Sequence, residues 1–182
     1  MGRDAFCHAC GAAFEDVSRY PRTCSKCRAQ VWANPIPVSV VLVPARVDGR
    51  LGLMVVRRAI EPQRGKYALV GGFLEEHERW QEGGAREVRE ETGVEVAADK
   101  LVTFWFTSTE PRPNRVLLFS IAEEMDARAW PGFTATNETD ERGVIFGPEG
   151  LEGLFAFPLH VQAAQRFFTA RGVEGPHEYR AL

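Results

Sequence analysis

No stretch of this sequence approaches the roughly 18 consecutive apolar residues of a membrane-spanning helix, so no membrane span is expected. Positive charge is not in excess: 22 Lys and Arg stand against 25 Asp and Glu, for a net charge of −3 and a pI near 5.9. A broad basic surface for non-specific nucleic-acid binding is therefore absent. No cysteine occurs after Cys27, so disulfides cannot staple the bulk of the chain. The start, Met1-Gly2-Arg3-Asp4-Ala5-Phe6, lacks the apolar core of a signal peptide, and position 6 lacks the Ser or Thr of a myristoylation motif. A cytoplasmic location with no membrane partner is expected. There is no internal repeat and no low-complexity tract. What remains is an ordinary globular composition, 45% hydrophobic and 26% charged over 182 residues. That length suits one full core with a small appendage.

The most informative segment runs from Gly71 to Val94. Trp80 to Thr92 reads as a helix, weakened in its first turns by Gly83 and Gly84. Gly93 stops it as a C′ glycine, followed by the hydrophobic Val94. Glu87, Glu90 and Glu91 fall at i, i+3 and i+4 and so share one face. Val88 and Thr92 fall on another, free to pack. From Glu75 to Glu95 there are eight glutamates and three arginines, a dense negative cluster in a nearly neutral chain. Like charges at this spacing repel, and hard divalent cations such as Mg²⁺ or Mn²⁺, which favour carboxylate oxygens, would offset the cost. A solvated acidic helix paired by Arg86 and Arg89 is the simpler alternative. The preceding Gly71-Gly72 turn and the fixed spacing to Glu78 weigh against it.

Gly72-x5-Glu78-x7-Arg86-Glu87-Val88-Arg89-Glu90-Glu91-Thr92-Gly93-Val94 reproduces every position of the pattern GX5EX7REUXEEXGU (U aliphatic). The chain therefore resembles the Nudix hydrolases, which cleave a nucleoside diphosphate linked to another group. The resemblance implies an α/β fold, an α/β/α sandwich with a mixed sheet. It implies that Glu87, Glu90 and Glu91 hold the catalytic metal, joined by the backbone carbonyl of Gly72 or Gly71. Glu78 and Arg86 match the orienting pair, with Arg86 gripping a carboxylate bidentately. The general base is either Glu87 or a glutamate from a later loop, for which Glu138 is the first candidate and Glu141 the second. Solvated loop acids remain the alternative for both. Arg57, Arg58, Arg64 and Lys66 form a basic stretch suited to substrate phosphates, or simply to solvent.

All four cysteines lie at the N-terminus as Cys7-x2-Cys10 and Cys24-x2-Cys27. Two such knuckles resemble a zinc ribbon: each presents two thiolates, and together they complete a closed tetrahedral site without a position for water. The role expected for Zn²⁺ is structural. Residues 1–30 carry few large apolar side chains, so the metal would supply much of their folding free energy. His8, inside the first knuckle, is surplus to a four-thiolate site. Disulfides or a redox CxxC are the alternatives; a cytoplasmic setting disfavours the first, and no βαβ context supports the second.

Residues 1–34 are thus expected to form the ribbon and its connector, and residues 35–182 the hydrolase domain. Within the latter, 38–43 reads as a buried strand, 44–49 as a turn carrying the hairpin signal Asp48-Gly49, and 51–57 as the returning strand. Residues 101–109 and 115–122 read as strands joined by a turn at 110–114. Residues 125–145 read as a loop, 161–171 as a second helix with Phe167 and Phe168 in the core, and 172–182 as a loose tail.

A ribbon before a Nudix domain, together with Trp32 and Asn34-Pro35, is similar to the NADH pyrophosphatase group. That group also carries SQPWPFPxS after the box, whereas this chain reads Phe106-Thr107-Ser108-Thr109-Glu110-Pro111-Arg112-Pro113. His77 also stands where many boxes have glycine. The expected substrate is therefore a nucleoside diphosphate linked to another moiety, ADP-ribose-like or NADH-like without preference. A nucleoside triphosphate pyrophosphohydrolase and a non-catalytic nucleotide- or nucleic-acid-binding protein are the alternatives. Nucleic acid would enter through the ribbon or as a capped RNA end, and a homodimer is possible by analogy.

Overall fold

In a computed structural model, residues 5–110 and 114–182 are described. The chain divides into two compact units, Met1–Pro35 and Ile36–Leu182. No helix among the described residues is long and apolar enough to cross a membrane.

The first unit is built on two turns with the same hydrogen-bond pattern. Cys7 N–H donates to Ala12 and Gly11 N–H back to Cys7; Cys24 N–H donates to Ala29 and Arg28 N–H back to Cys24. The turning residues Gly11 and Arg28 both take left-handed conformations (φ 71° and 64°). A short antiparallel ladder, β1 (Arg22–Thr23) with β2 (Gln30–Val31), follows. Gln30 and Val31, within the expected ribbon and connector, are thus strand. Arg22 is buried, its guanidinium 3.9 Å from the Tyr20 ring centroid and its Nε donating to the Arg19 carbonyl.

Among its described residues the second unit contains ten strands and two α-helices. β3 (Ile36–Leu42), β4 (Pro44–Val47), β5 (Arg50–Arg58), β6 (Tyr67–Ala68) and β7 (Val70–Phe73) precede α1 (Trp80–Thr92). β8 (Val102–Ser108), β9 (Arg115–Ile121), β10 (Met125–Asp126) and β11 (Thr139–Phe146) precede α2 (Pro158–Ala170) and β12 (Glu178–Ala181). One mixed sheet has the order β7-β3-β9-β8, with β3 parallel to β9. The other has the order β10-β4-β5-β11-β12, with β6 also on β5.

Alternation along the central strands explains the layering. Val40, Leu42, Leu53, Val55 and Ile145 pack into one core with Phe167 and Phe168 of α2. Their neighbours Val41, Val43, Met54, Val56 and Val144 pack into a second core with Val88 of α1. Successive strand residues point to opposite faces, so each sheet is apolar on both sides and sits between the two helices. This is the α/β/α sandwich. Phe167 and Phe168 are fully buried, as expected, and burying each contributes about 1.5–3 kcal/mol.

The helix bounds follow from local chemistry. Glu82 accepts the Arg79 N–H at the start of α1. Gly93, at φ 74°, returns its N–H to Arg89 at the end. Gly83 and Gly84, unfavourable in a helix interior, are placed where a Cβ would sit 2.5 Å from Leu74 and 2.9 Å from Ser39. α2 begins three residues earlier than its periodicity suggests, because Pro158 is well suited to a first helical position.

Four sequence expectations need correction. Pro44–Val47 is a strand, and only Asp48 and Gly49 turn, both with positive φ, as a tight hairpin requires. β5 runs on to Arg58, one residue beyond the expected end of the returning strand, so Arg58 is strand as well as Arg57. The expected loop at 125–145 contains β10 and most of β11; the charged Asp140-Glu141-Arg142 run concealed a central strand. The expected loose tail contains β12, which pairs antiparallel with β11. Its sequence, Glu-Tyr-Arg-Ala, alternates over only four residues, too short a run to stand out. The expected turn at 110–114 has residues 111–113 outside the described ones.

β12 docks because Gly143 leaves room. A Cβ on Gly143 would lie 2.5 Å from the Tyr179 ring and from the Arg180 carbonyl. Gly143→Ala should therefore destabilise the protein by about 1–3 kcal/mol, the usual cost of overpacking. Chemical denaturation measures it, and a loss below a few tenths of a kcal/mol would contradict this packing.

Candidate active site and metal centre

β7 ends in Gly71-Gly72-Phe73 and runs beneath α1. A side chain at Gly72 would collide with the Glu87 carboxylate; glycine there lets backbone and carboxylate share one space. Gly71 N–H donates to Glu91 Oε2 at 3.2 Å. Ser39 of the neighbouring β3 donates to the Trp80 carbonyl at 3.2 Å, tying the first turn of α1 to the sheet.

Arg86 is the cation that organises the acids. Its Nε and Nη2 grip Glu78 at 3.0 and 2.7 Å, and Nη2 also reaches the Phe73 carbonyl at 3.1 Å. Its Nη1 contacts Glu87 at 2.8 Å and Glu90 at 3.1 Å. The Arg86 contact holds Glu78 below the usual carboxylate range, and Glu78 in turn raises Arg86. The Arg86 and Glu78 side chains are only 19% and 13% exposed. Breaking so enclosed a pair by removing one partner costs about 3–5 kcal/mol.

Glu87 and Glu91 are the strained members. Burial raises both; Arg86 partly relieves Glu87, while the charge of Glu87 adds to the burial of Glu91. Glu91 is pushed from 4.5 to about 8. Glu90 is half exposed. The donor set fits a hard divalent cation, since a positive ion would remove both the repulsion and the desolvation cost. The carboxylates do not converge as tightly as the thiols. Among the described residues, only Cys7, Cys10, Cys24 and Cys27 form a group whose ligand atoms all lie within 4.8 Å. Glu90 is drawn to Arg86 and Glu91 to Gly71, so sharing one ion requires their side chains to turn.

The two later acids have separate environments. Glu138 is exposed, and its charge raises both Glu87 and Glu91, which places it beside the cluster. The Glu141 carboxylate is occupied: it accepts from Tyr67 at 2.9 Å, Tyr179 at 2.6 Å and Arg57 at 3.0 Å. Arg57 also pairs with Asp140 at 2.7 Å. Arg58 stacks 5.0 Å from the Phe157 ring and donates to the Pro62 carbonyl; its charge lowers Glu91. Arg64 is exposed and Lys66 half-buried in the turn that closes on Arg58. The basic stretch thus divides, with Arg58 at the acid cluster and Arg57 committed to acids on β11.

Sequence reasoning missed three supporting residues. Thr139 donates to the Glu91 carbonyl at 2.9 Å, and Arg142 to the Thr92 carbonyl at 2.6 Å. His160 of α2 accepts the Leu69 N–H at 3.1 Å, just ahead of Gly71-Gly72, and burial lowers its pKa to about 3. Nothing in the sequence distinguishes these from surface residues; their signal is burial alone.

In the first unit, Cys7 Sγ lies 3.6 Å from Cys27 Sγ, and Cys10 Sγ 3.7 Å from Cys24 Sγ. Backbone N–H groups, led by that of Cys27, pull the Cys24 thiol down to about 6. A closed set of four thiols with one pulled toward the thiolate fits zinc.

The NUDIX domain pattern matches residues 35–167. The NAD-capped RNA hydrolase NudC of Vibrio parahaemolyticus is 26% identical over 140 residues, covering 76% of this chain and 51% of that protein. Among solved structures, a NUDIX hydrolase from Nitrosomonas europaea matches with a TM-score of 0.69 and 23% identity over 92% of both chains. The NUDIX domain of Shewanella oneidensis NrtR, complexed with ADP ribose, matches with a TM-score of 0.58 and 19% identity, covering 78% of this chain and 89% of that one. These two structures share the fold. The chain spans about half the length of the curated relatives it matches.

Two outcomes are expected. Purified protein should hold one zinc per chain by elemental analysis, and Cys24→Ser should lower stability more than turnover; absence of zinc with disulfide-linked peptides would refute the site. Glu91 has a folded pKa above its ordinary value, so its favourable contribution is complete below 4.5 and lost as pH rises to about 8. Metal-free protein should therefore lose stability across that window. Millimolar Mg²⁺ should restore it, and Glu91→Gln should flatten the slope while abolishing Mg²⁺-dependent turnover. An unchanged slope in Glu91→Gln would overturn the assignment.

Proposed function

The chain belongs to the NUDIX domain family, and we propose that its Ile36–Leu182 unit hydrolyses the diphosphate of a nucleoside diphosphate joined to another moiety. The observation that carries this reading is the juxtaposition of Glu87 and Glu91, both buried, with the Gly71-Gly72 backbone and the Glu78–Arg86 lock. Glu87, Glu90, Glu91 and the Gly72 carbonyl would hold Mg²⁺ or Mn²⁺. Such an ion neutralises the phosphates, polarises the attacked phosphorus and acidifies water.

The residues of the chain supply the rest. Arg86 holds Glu78 bidentately and steadies the loop between β7 and α1. Glu138, the first-choice base, takes the proton from the attacking water. The water oxygen bonds to one phosphorus as the bridging P–O bond breaks, and the leaving phosphate oxygen carries the electron pair away. The products are a nucleoside monophosphate and the phosphorylated remainder. Glu141 is the weaker base candidate, because three donors already occupy its carboxylate. Arg58, beside Glu91, is the basic residue best placed for a substrate phosphate.

ADP-ribose-like and NADH-like substrates rank together, ahead of nucleoside triphosphates. The ADP-ribose bound by the NrtR domain and the capped RNA named for the Vibrio relative both contain such a diphosphate. The likeness to the Vibrio protein favours, as a second reading, the same linkage at a capped RNA end. A panel of ADP-ribose, NADH and NAD-capped oligonucleotide with Mg²⁺, coupled to alkaline phosphatase, beside ATP read by pyrophosphate release without the phosphatase, tests the ranking. A triphosphate preferred tenfold, about 1.4 kcal/mol, would reverse it, and no phosphate or pyrophosphate release from any compound would favour a binding protein. Glu138→Gln should lower kcat by about 10²–10⁴ with little change in KM, as loss of a general base does; an unchanged kcat would transfer the role to another acid.

A further inference from the structure

β11 carries an irregularity that the fold alone does not require. Thr139 stands opposite Arg58 and Glu141 opposite Arg57, leaving Asp140 as an extra residue. Side chains alternate along a regular strand, so residues three apart face opposite sides. The bulge cancels that rule. Thr139 and Arg142, three apart, both reach the last turn of α1. Glu141, between them, turns the other way to Tyr67 and Tyr179.

The contacts are specific. Thr139 Oγ1 donates to the carbonyl of Glu91 itself at 2.9 Å. Arg142 donates through Nη1 to the Thr92 carbonyl at 2.6 Å and through Nη2 to the Pro131 carbonyl at 2.8 Å. Thr139 is 1% and Arg142 3% exposed. No carboxylate pairs with Arg142 among the ion pairs of the described residues. Its charge is met by the Thr92 carbonyl at the negative end of the α1 dipole, by the Pro131 carbonyl and by the faces of Trp130 and Phe133. Gly93 N–H and Thr92 Oγ1 close the last turn onto Arg89 and Val88, and Thr139 and Arg142 satisfy the Glu91 and Thr92 carbonyls left over at the helix end. Glu138 directly precedes Thr139, and its own carbonyl is pinned by the Ala59 N–H at 2.7 Å.

We propose that Thr139 and Arg142 are positioning residues: the bulged segment Glu138–Arg142 is a clamp that fixes the separation between the α1 carboxylates and Glu138. The inference rests on the hydrolase reading and on Glu138 as its base. A strand that begins directly after the base and also grips the backbone of a metal-binding glutamate makes one rigid body of both. Positioning errors near 1 Å are enough to cost a large part of the rate.

Thr139→Val keeps the shape and removes the hydroxyl, while Thr139→Ser keeps the hydroxyl. Assayed on ADP-ribose with Mg²⁺ well below the unfolding temperature, Thr139→Val should lower kcat about tenfold with KM within about twofold, the pattern of an interaction felt in the transition state. Thr139→Ser should recover most of the rate. In a Glu138→Gln background the Val substitution should cost less than about twofold, since residues that act as a unit are non-additive. Arg142→Met and Arg142→Lys should follow the same order, but the Thr139 series decides the matter if Arg142→Met fails to fold. If Glu138→Gln is impaired while Thr139→Val keeps its kcat, or if the two losses add, the clamp is overturned and the base assignment stands. If Glu138→Gln is fully active, the base assignment fails and the clamp falls with it.

Discussion

The structure turns on one electrostatic constraint: several carboxylates must stand together at the edge of a dry core without driving it apart. Glu87 and Glu91 occupy the sheet-facing side of α1, where burial disfavours their charge, and the charge of Glu87 adds to the cost of Glu91. One guanidinium, Arg86, spans Glu78, Glu87 and Glu90 and holds the Phe73 carbonyl. The rest of the site accommodates this arrangement. Gly72 is stripped of a side chain so that Glu87 can lie over it, and Gly71 offers Glu91 a backbone donor. Ser39 and Thr139 tie the two ends of the helix to strands. A helix placed by its apolar residues alone would slide, whereas this one is pinned at both ends by polar bonds.

Much of this was legible in the sequence because α1 obeys local rules. Its start, its Gly93 stop, its acid face and its packing residue Val88 all follow from spacing, and its bounds agree with the structure residue for residue. The central strands were equally readable from their β-branched runs. What the sequence concealed has a common cause. β11 places Arg142 in the core and inserts a bulge at Asp140, so both its composition and its alternation argue for a loop. β12 is a short polar edge strand whose place depends on Gly143, in a different segment. The division of the basic stretch into Arg57, paired on β11, and Arg58, beside Glu91, is set by strand pairing and cannot be read from four neighbouring cations.

The two metal environments differ in kind. The four thiols are already gathered, with matched backbone turns beneath them, which suits an ion that would hold the fold together. The carboxylates are spread between Arg86, Gly71 and solvent, which suits an ion that arrives with substrate phosphates and leaves positions open to them.

The parallel pairing of β3 with β9 has a consequence for assembly. Ile36 pairs with Arg115, 79 positions later, and α1 lies wholly within the loop they close. Such distant pairing is slow, because loop entropy is lost before the contacts reward it. The acid face acquires its Gly71 donor and its β11 anchors only when strands from both halves of the sequence have met. The disordered chain therefore offers divalent ions scattered glutamates and no shaped site. On the hydrolase reading, the binding free energy of such ions would accrue to the finished fold, so magnesium availability would bear on how long each molecule survives as well as on how fast it works.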